Sequence, residues 1–346
     1  MKEGLYRKIG YFCTFTPKEL IHAAGFTPIR LLADNTPINR ANAYIQNYCC
    51  SQVKGCLEKM LNGDLELDGA VFTRSCDSLM RLTDIWELNS NIPVYDLEFP
   101  TNIGDKSKGY FLNELLDFKK WLESLNGDEK ITFDNLKDSI MLYYDLDKKL
   151  DRLYSLNPEY NLAIKALTSN PAIALDEIEK RLNHLNNQSM NEIEKNIDKK
   201  KAKILVTGSI CPSTDIYEII QDSGFSIVDD FCTGTRFFKS DAILPEINNM
   251  DDAMNFLIQK YFLKAPCPTK HYDNDRRFAY ILEKAKDVDG VIFLLVKFCE
   301  PHFFDYPQLR KKIEEIGKKT LLLEFELPIT SFDQIKLRIN AFSEMF

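Results

Sequence analysis

Over the first hundred residues, short apolar runs alternate with amphipathic stretches. Residues 9–15 predict a strand. Residues 17–24, with Leu20, Ile21 and Ala24 at helical spacing, predict a helix stopped by Gly25. Residues 27–32 predict a second strand, 39–61 a long helix closed by Asn62-Gly63, and Gly69–Thr73 a third strand running into Arg74-Ser75-Cys76-Asp77. Residues 79–88 read as helix and 93–97 as strand. Strands alternating with helices at this spacing point to βαβ units and a mainly parallel sheet.

From about residue 106 to 201 the period changes. Apolar residues recur every three to four positions and no strand is evident; the section ends in a polar stretch, 183–201, rich in Asn, Glu and Lys, which reads as a solvated helix face or linker. At Lys203 the alternation restarts. Strands are expected at 204–207, 226–228, 291–296 and 320–325, and helices at 213–222, 251–262, 274–288, 306–316 and 332–342. The halves also match in detail: Asp68-Gly69-Ala70-Val71-Phe72 before Cys76 parallels Asp289-Gly290-Val291-Ile292-Phe293 before Cys299. The expected fold is therefore α/β: two doubly wound parallel-sheet domains, 1–130 and 201–346, joined by a helical section and linker, 131–200.

Composition narrows the function. The 346 residues carry 44 Lys+Arg against 52 Asp+Glu, a net charge of −8, which argues against nucleic acid or an anionic membrane surface as partner. The longest purely apolar run, 291–296, is far below the roughly 18 residues needed to span a bilayer. The opening MKEGLYRKIG has no apolar core of a secretory signal, so a cytoplasmic chain is expected.

Nine cysteines are more than such a chain needs: Cys13, Cys49, Cys50, Cys56, Cys76, Cys211, Cys232, Cys267 and Cys299. In the cytoplasm they are reduced thiols, and no CxxC pair exists. Cys76 and Cys299 each follow a buried strand, at the carboxyl ends where open α/β sheets bind ligands. Cys49 and Cys50 lie on or near a helix, where neighbours point about 100° apart, so one can face a cleft while the other packs. Three thiolates from three segments suit an iron–sulfur cube with one open iron, or a zinc ion with a water as fourth ligand. The simpler alternative is that all are small buried hydrophobes.

The stretch Gly10-Tyr11-Phe12-Cys13-Thr14-Phe15-Thr16-Pro17-Lys18-Glu19-Leu20-Ile21-His22-Ala23-Ala24-Gly25 resembles the start of the 2-hydroxyacyl-CoA dehydratase family, which includes 2-hydroxyglutaryl-CoA dehydratase D-components and benzoyl-CoA reductase subunits. Cys50-Ser51-Gln52-Val53-Lys54, Cys76-Asp77, Asp229-Asp230-Phe231-Cys232-Thr233-Gly234-Thr235-Arg236, Lys297-Phe298-Cys299 and Leu337-Arg338-Ile339-Asn340-Ala341-Phe342 follow in the same order, so the resemblance covers nearly the whole chain.

The resemblance implies two Rossmann-like domains with a 4Fe-4S cluster between them, held by Cys50, Cys76 and Cys299, with Cys49 in reserve for Cys50. It implies a homologous second subunit and an ATP-hydrolysing iron–sulfur activator; the chain has no GxxxxGK[ST] loop of its own. The implied reaction removes water from a 2-hydroxyacyl-CoA through a ketyl radical, after one-electron reduction. Related alternatives are a benzoyl-CoA reductase or double-cubane reductase subunit; a cluster-free ligand-binding module is the third. Cys232 reads as a family feature or a packed turn residue. Cys13 and Cys211 begin equivalent βα turns, and Cys56 and Cys267 read as packing or surface residues. Glu19, His22 and His302 are candidate proton-transfer groups, with helix-surface positions the simpler reading for Glu19 and His22 and an exposed one for His302; no catalytic base is assigned.

Overall fold

The computed structural model describes residues 7–187, 202–211, 213–270 and 274–346. Four parallel strands, β1 (Lys8–Tyr11), β2 (Thr27–Arg30), β3 (Gly69–Thr73) and β4 (Val94–Leu97), form one sheet in the order β2-β1-β3-β4. A second parallel sheet repeats the order as β6-β5-β7-β8, from β5 (Ala202–Thr207), β6 (Phe225–Asp230), β7 (Gly290–Val296) and β8 (Lys319–Phe325). The repeat reaches single hydrogen bonds. The Lys8 amide donates to Asp68 Oδ2 at 2.8 Å, and the Lys203 amide donates to Asp289 Oδ2 at 2.7 Å. Gly25 and Gly224 both take the left-handed turn into the second strand, at φ 82° and 88°.

Period-2 alternation builds both faces of each sheet. In the first, Ile9, Tyr11 and Val71 face α1 (Lys18–Ala23), α4 (Asp105–Leu125) and α5 (Phe133–Leu156). Ala70 and Phe72 face α2 (Ser51–Asn62) and α3 (Asp77–Asn89), where Phe12, Phe72 and Trp86 pack as an aromatic group. In the second sheet, Val206, Ile292 and Leu294 meet α8 (Thr214–Asp222) and α13 (Asp333–Ser343). Leu205, Val291 and Phe293 meet α11 (Asn274–Lys286) and α12 (Glu300–Glu315). Helices α6 (Tyr160–Thr168) and α7 (Pro171–Asn187) complete the middle section; residues 188–201 of the polar stretch lie outside the described residues.

The middle section is clamped to both halves by α10 (Met250–Phe262). Lys260 Nζ reaches Glu19 Oε1 of α1 at 2.8 Å and Asp147 Oδ2 of α5 at 2.7 Å, and Lys18 Nζ reaches Asp147 Oδ1 at 3.1 Å. The Tyr261 hydroxyl lies 2.8 Å from Glu19 Oε2, and all four charged groups are buried. Burial alone would push the two carboxyls up, but Lys260 and Lys18 hold both below the usual carboxylate range.

Three expected elements shift. The first strand stops at Tyr11 because Cys13–Thr16 form a turn, closed by the Thr16 amide on the Cys13 carbonyl at 3.1 Å. The helix expected over 39–61 begins only at Ser51. Ahead of it the chain makes one 3-10 turn (Ala41–Ala43) and folds back along α2, where Glu58 Oε2 accepts the amides of Asn39 and Ala41 at 3.0 and 2.8 Å. The helix expected over 306–316 starts at Glu300, directly after Cys299. A short helix, α9 (Thr235–Phe238), was not expected; it is held by Asp229 Oδ1, which accepts the Thr235 amide at 2.8 Å. Among the described residues no helix is long and apolar enough to cross a membrane.

Lys260→Met leaves Glu19 and Asp147 with too little positive charge in the interior. It is expected to destabilise the protein by about 3–5 kcal/mol at pH 7 in urea unfolding. The deficit should shrink as pH falls toward 5, because the stranded carboxyls then have raised pKa values and protonate. A deficit that grows on acidification would contradict the ion cluster. A backbone test is independent: a β-carbon on Gly208 would overlap the Leu294 carbonyl oxygen, whereas one on Gly109, in α4, meets nothing. Gly208→Ala should therefore lower stability by about 2–3 kcal/mol, and Gly109→Ala should raise it by roughly 0.5–1 kcal/mol.

Candidate functional site

The loops leaving the carboxyl ends of β1, β3, β5, β6 and β7 line one cavity of about 130 Å³, so both sheets contribute to it. Cys50, Cys76 and Cys299 all line it. Each is the residue that caps the start of a helix: Cys50 for α2, Cys76 for α3 and Cys299 for α12. For Cys50 this differs from a place inside the helix expected over 39–61; all three stand at the positive ends of helices, which favour a thiolate. None makes a regular capping hydrogen bond. Ahead of Cys299, Phe298 adopts a left-handed backbone, φ 64°, which turns the chain from β7 into α12.

Burial pushes the Cys76 thiol up to about 12, and it pushes Cys299 up to about 11 and Cys50 well above the usual thiol range. Cys299 and Cys76 raise Cys50 further, as neighbouring thiolates would repel. The amide of Val53 pulls Cys50 down, those of Leu79 and Ser78 pull Cys76 down, and Ser209 and the His302 amide pull Cys299 down. On their own the three side chains thus favour the neutral thiol, and a bound cation would release their protons. Among the described residues no three His, Cys, Asp or Glu side chains stand close enough to hold one metal ion.

The other cysteines divide. Cys13, Cys232 and Cys267 also line the cavity; Cys267 is packed in the core, as expected, and the cavity lining is in addition to that. Cys49, Cys56 and Cys211 are buried in the adjoining core and are not among the lining residues. Cys50 therefore faces the cavity and Cys49 packs, its Sγ 3.9 Å from Gln46 Oε1.

The proton-transfer candidates fare differently. Glu19 is neither on a helix surface nor at the cavity: it is wholly buried in the ion cluster of α1, α5 and α10. His22 stands away from the cavity, with Nδ1 3.0 Å from Ser139 Oγ and its ring edge-on to Tyr143. His302 lines the cavity but is buried rather than exposed. Burial, and then the charges of Arg236 and Arg277, hold its pKa well below the ordinary histidine value, so it is a neutral imidazole at neutral pH.

Two lining arginines were not among the site candidates read from the sequence. Arg30, at the end of β2, donates from Nη1 to the Cys232 carbonyl at 3.1 Å and from Nη2 to Cys232 Sγ at 3.3 Å. Arg236 donates from Nε to the Asp230 carbonyl at 2.9 Å and from Nη2 to the Gly208 carbonyl. Both are buried, and Arg30 Nε and Arg236 Nη1 have no partner. Arg236 sits in the quoted Asp229–Arg236 segment; the sequence around Arg30 offers nothing comparable.

Residues 13–346 match the family described as 2-hydroxyglutaryl-CoA dehydratase, D-component. The chain belongs to that family. It is 30% identical to the (R)-phenyllactyl-CoA dehydratase beta subunit of Clostridium sporogenes, over 99% of this chain and 93% of that one. It is 27% identical to the lactoyl-CoA dehydratase subunit beta of Anaerotignum propionicum, over 97% and 91%. It is also 26% identical to a benzoyl-CoA reductase subunit of Thauera aromatica, over 89% and 82%. The first two are named as subunits of dehydratases, enzymes that eliminate water.

The cavity predicts an order of thiol reactivity. Cys76, Cys232 and Cys299 are partly exposed, and Cys56 and Cys211 are buried. In the reduced, metal-free protein the first three should be alkylated by iodoacetamide before the other two, as read by peptide mass spectrometry. For Cys299 the rate should still rise about tenfold per pH unit above pH 9, since only the thiolate reacts. Early labelling of Cys56 would contradict the packing described.

Proposed function

We propose that this chain is the iron–sulfur subunit of a 2-hydroxyacyl-CoA dehydratase, holding a 4Fe-4S cluster through Cys50, Cys76 and Cys299. The observation that carries the reading is the lining of one cavity by three thiols that cap three helices, drawn from both sheets. The donor set fits such a group. Thiolates are the usual ligands of iron–sulfur clusters, and Cys50, Cys76 and Cys299 all line the one cavity. Helix N-termini favour the negative charge of a thiolate-bound cluster.

Bound there, such a cluster would lend one electron to a 2-hydroxyacyl thioester and take it back once water has left, so that the net reaction stays redox-neutral. The protein's own part is to hold three thiolates and to keep water away with Phe12, Val53, Leu79 and Val296. It also offers His302 as a neutral hydrogen-bonding group that neither adds charge nor takes up a proton near pH 7. The proposed assembly pairs this chain with a homologous subunit and an ATP-hydrolysing iron–sulfur activator. The likeness to a benzoyl-CoA reductase subunit favours one second reading, a reductase of CoA thioesters, separable by product analysis.

After anaerobic iron and sulfide reconstitution, the wild type should absorb near ~400 nm as a cysteine-ligated cluster does. Cys76→Ala or Cys299→Ala should abolish that band, Cys50→Ala should too, and Cys49→Ser and Cys56→Ser should keep it. Dehydration of a 2-hydroxyacyl-CoA should require the second subunit, the activator and ATP. A colourless, iron-free wild type, or dehydration by this chain alone, would refute the proposal.

A further inference from the structure

Buried arginines normally meet carboxylates, because an unpaired charge in the interior is strongly unfavourable. Arg30 is 4% exposed, and no carboxylate partners it among the described residues. Its neighbours are the Cys232 carbonyl and sulfur, Cys13 and the Tyr11 ring, whose centroid lies 5.8 Å away. Its Nε has no partner at all. Arg236, 1% exposed, lines the same cavity with Nη1 unpartnered, and the carboxylate beside it, Asp230, is shared with Arg277 Nη2 at 2.7 Å. Around Arg236 the carboxylates Asp230 and Asp305 stand against Arg236 and Arg277, so the positive charge that no carboxylate offsets is that of Arg30, and Arg30 Nε and Arg236 Nη1 are left as N–H groups without a partner. An anion in the cavity would offset that charge.

We propose that Arg30, flanked by Arg236, is the counter-charge to the group in the cavity and sets its reduction potential. This rests on the cluster reading above. A cube bound by three thiolates is an anion, and it gains one more negative charge on reduction. A fixed positive charge in a low-dielectric wall stabilises the reduced state more than the oxidised one, and so raises the potential. The Arg30 Nη2 contact extends the same influence to Cys232, a sulfur beside the proposed ligands. Arg30 acts here as a positioning and tuning residue; it need not touch substrate.

The test is an EPR-monitored redox titration of the anaerobically reconstituted protein, with iron content measured in parallel. Arg30→Gln should shift the potential to more negative values. Arg30→Lys, which keeps the charge without the fork, should stay near the wild type. Arg310→Gln, at an exposed arginine on α12 paired with Glu314, should leave the potential unchanged because solvent screens it. If Arg30→Gln folds by circular dichroism but takes up no cluster while Arg30→Lys does, the charge is required for binding and the proposal stands. If Arg30→Gln titrates like the wild type, or if Arg30→Lys shifts or fails together with it, the role is structural and the proposal falls. A wild type that takes up no cluster would instead overturn the function reading itself.

Discussion

The molecule hangs on a small knot of buried charge. Lys18 and Glu19 come from the first βα unit, Asp147 from the middle helical section, and Lys260 with Tyr261 from a helix of the second half. Ion pairs this deep contribute little net stability relative to a well-packed apolar replacement. Their effect is on geometry: each charge has a partner only when all three sections are in register. Since Lys18 and Glu19 lie five and six positions after Cys13, and Lys260 lies seven before Cys267, the knot also fixes two approaches to the cavity.

Duplication explains why the cavity exists at all. Each half uses an Asp-Gly start for its central strand, with the aspartate gripping the amide that opens the neighbouring strand. Each sheet has the same strand order, and the loops at the carboxyl ends of both line the cavity. Open α/β sheets bind ligands at that edge. The seam is sealed by contacts from one half to the other: the Leu327 amide donates to Ser51 Oγ at 2.9 Å, and Arg30 holds the turn at Cys232. Tyr160 of the middle section stacks on Tyr217, with centroids 4.8 Å apart, and its hydroxyl lies 2.6 Å from Thr233 Oγ1.

How much of this could be read from the sequence depended on the range of the forces involved. Gly69–Thr73 was legible to the residue because its apolar run is bounded by turn residues on both sides. The two-sheet architecture followed from the restarted alternation, and the convergence of Cys50, Cys76 and Cys299 on one cavity was anticipated. The start of α2 was not legible, since residues 39–50 carry helical periodicity and only the tertiary bond to Glu58 folds them back. Glu19 looked like an exposed carboxylate because its partners, Lys260 and Tyr261, lie some 240 positions away in sequence. Cys267 and Arg30 escaped notice for the same reason: their positions at the cavity come from packing between distant segments, and no local spacing announces them.

The order of the cavity's residues along the chain has a bearing on how the protein is made. Cys50 and Cys76 leave the ribosome early, while Cys299 follows more than two hundred residues later, behind the whole middle section and most of the second sheet. Until then a nascent chain presents two of the three thiols proposed as ligands and only part of the cavity wall. The closing contacts are long-range pairings, which form late and slowly. The site becomes whole only once the second sheet has been made, so a group held by residues of both halves can be enclosed only then.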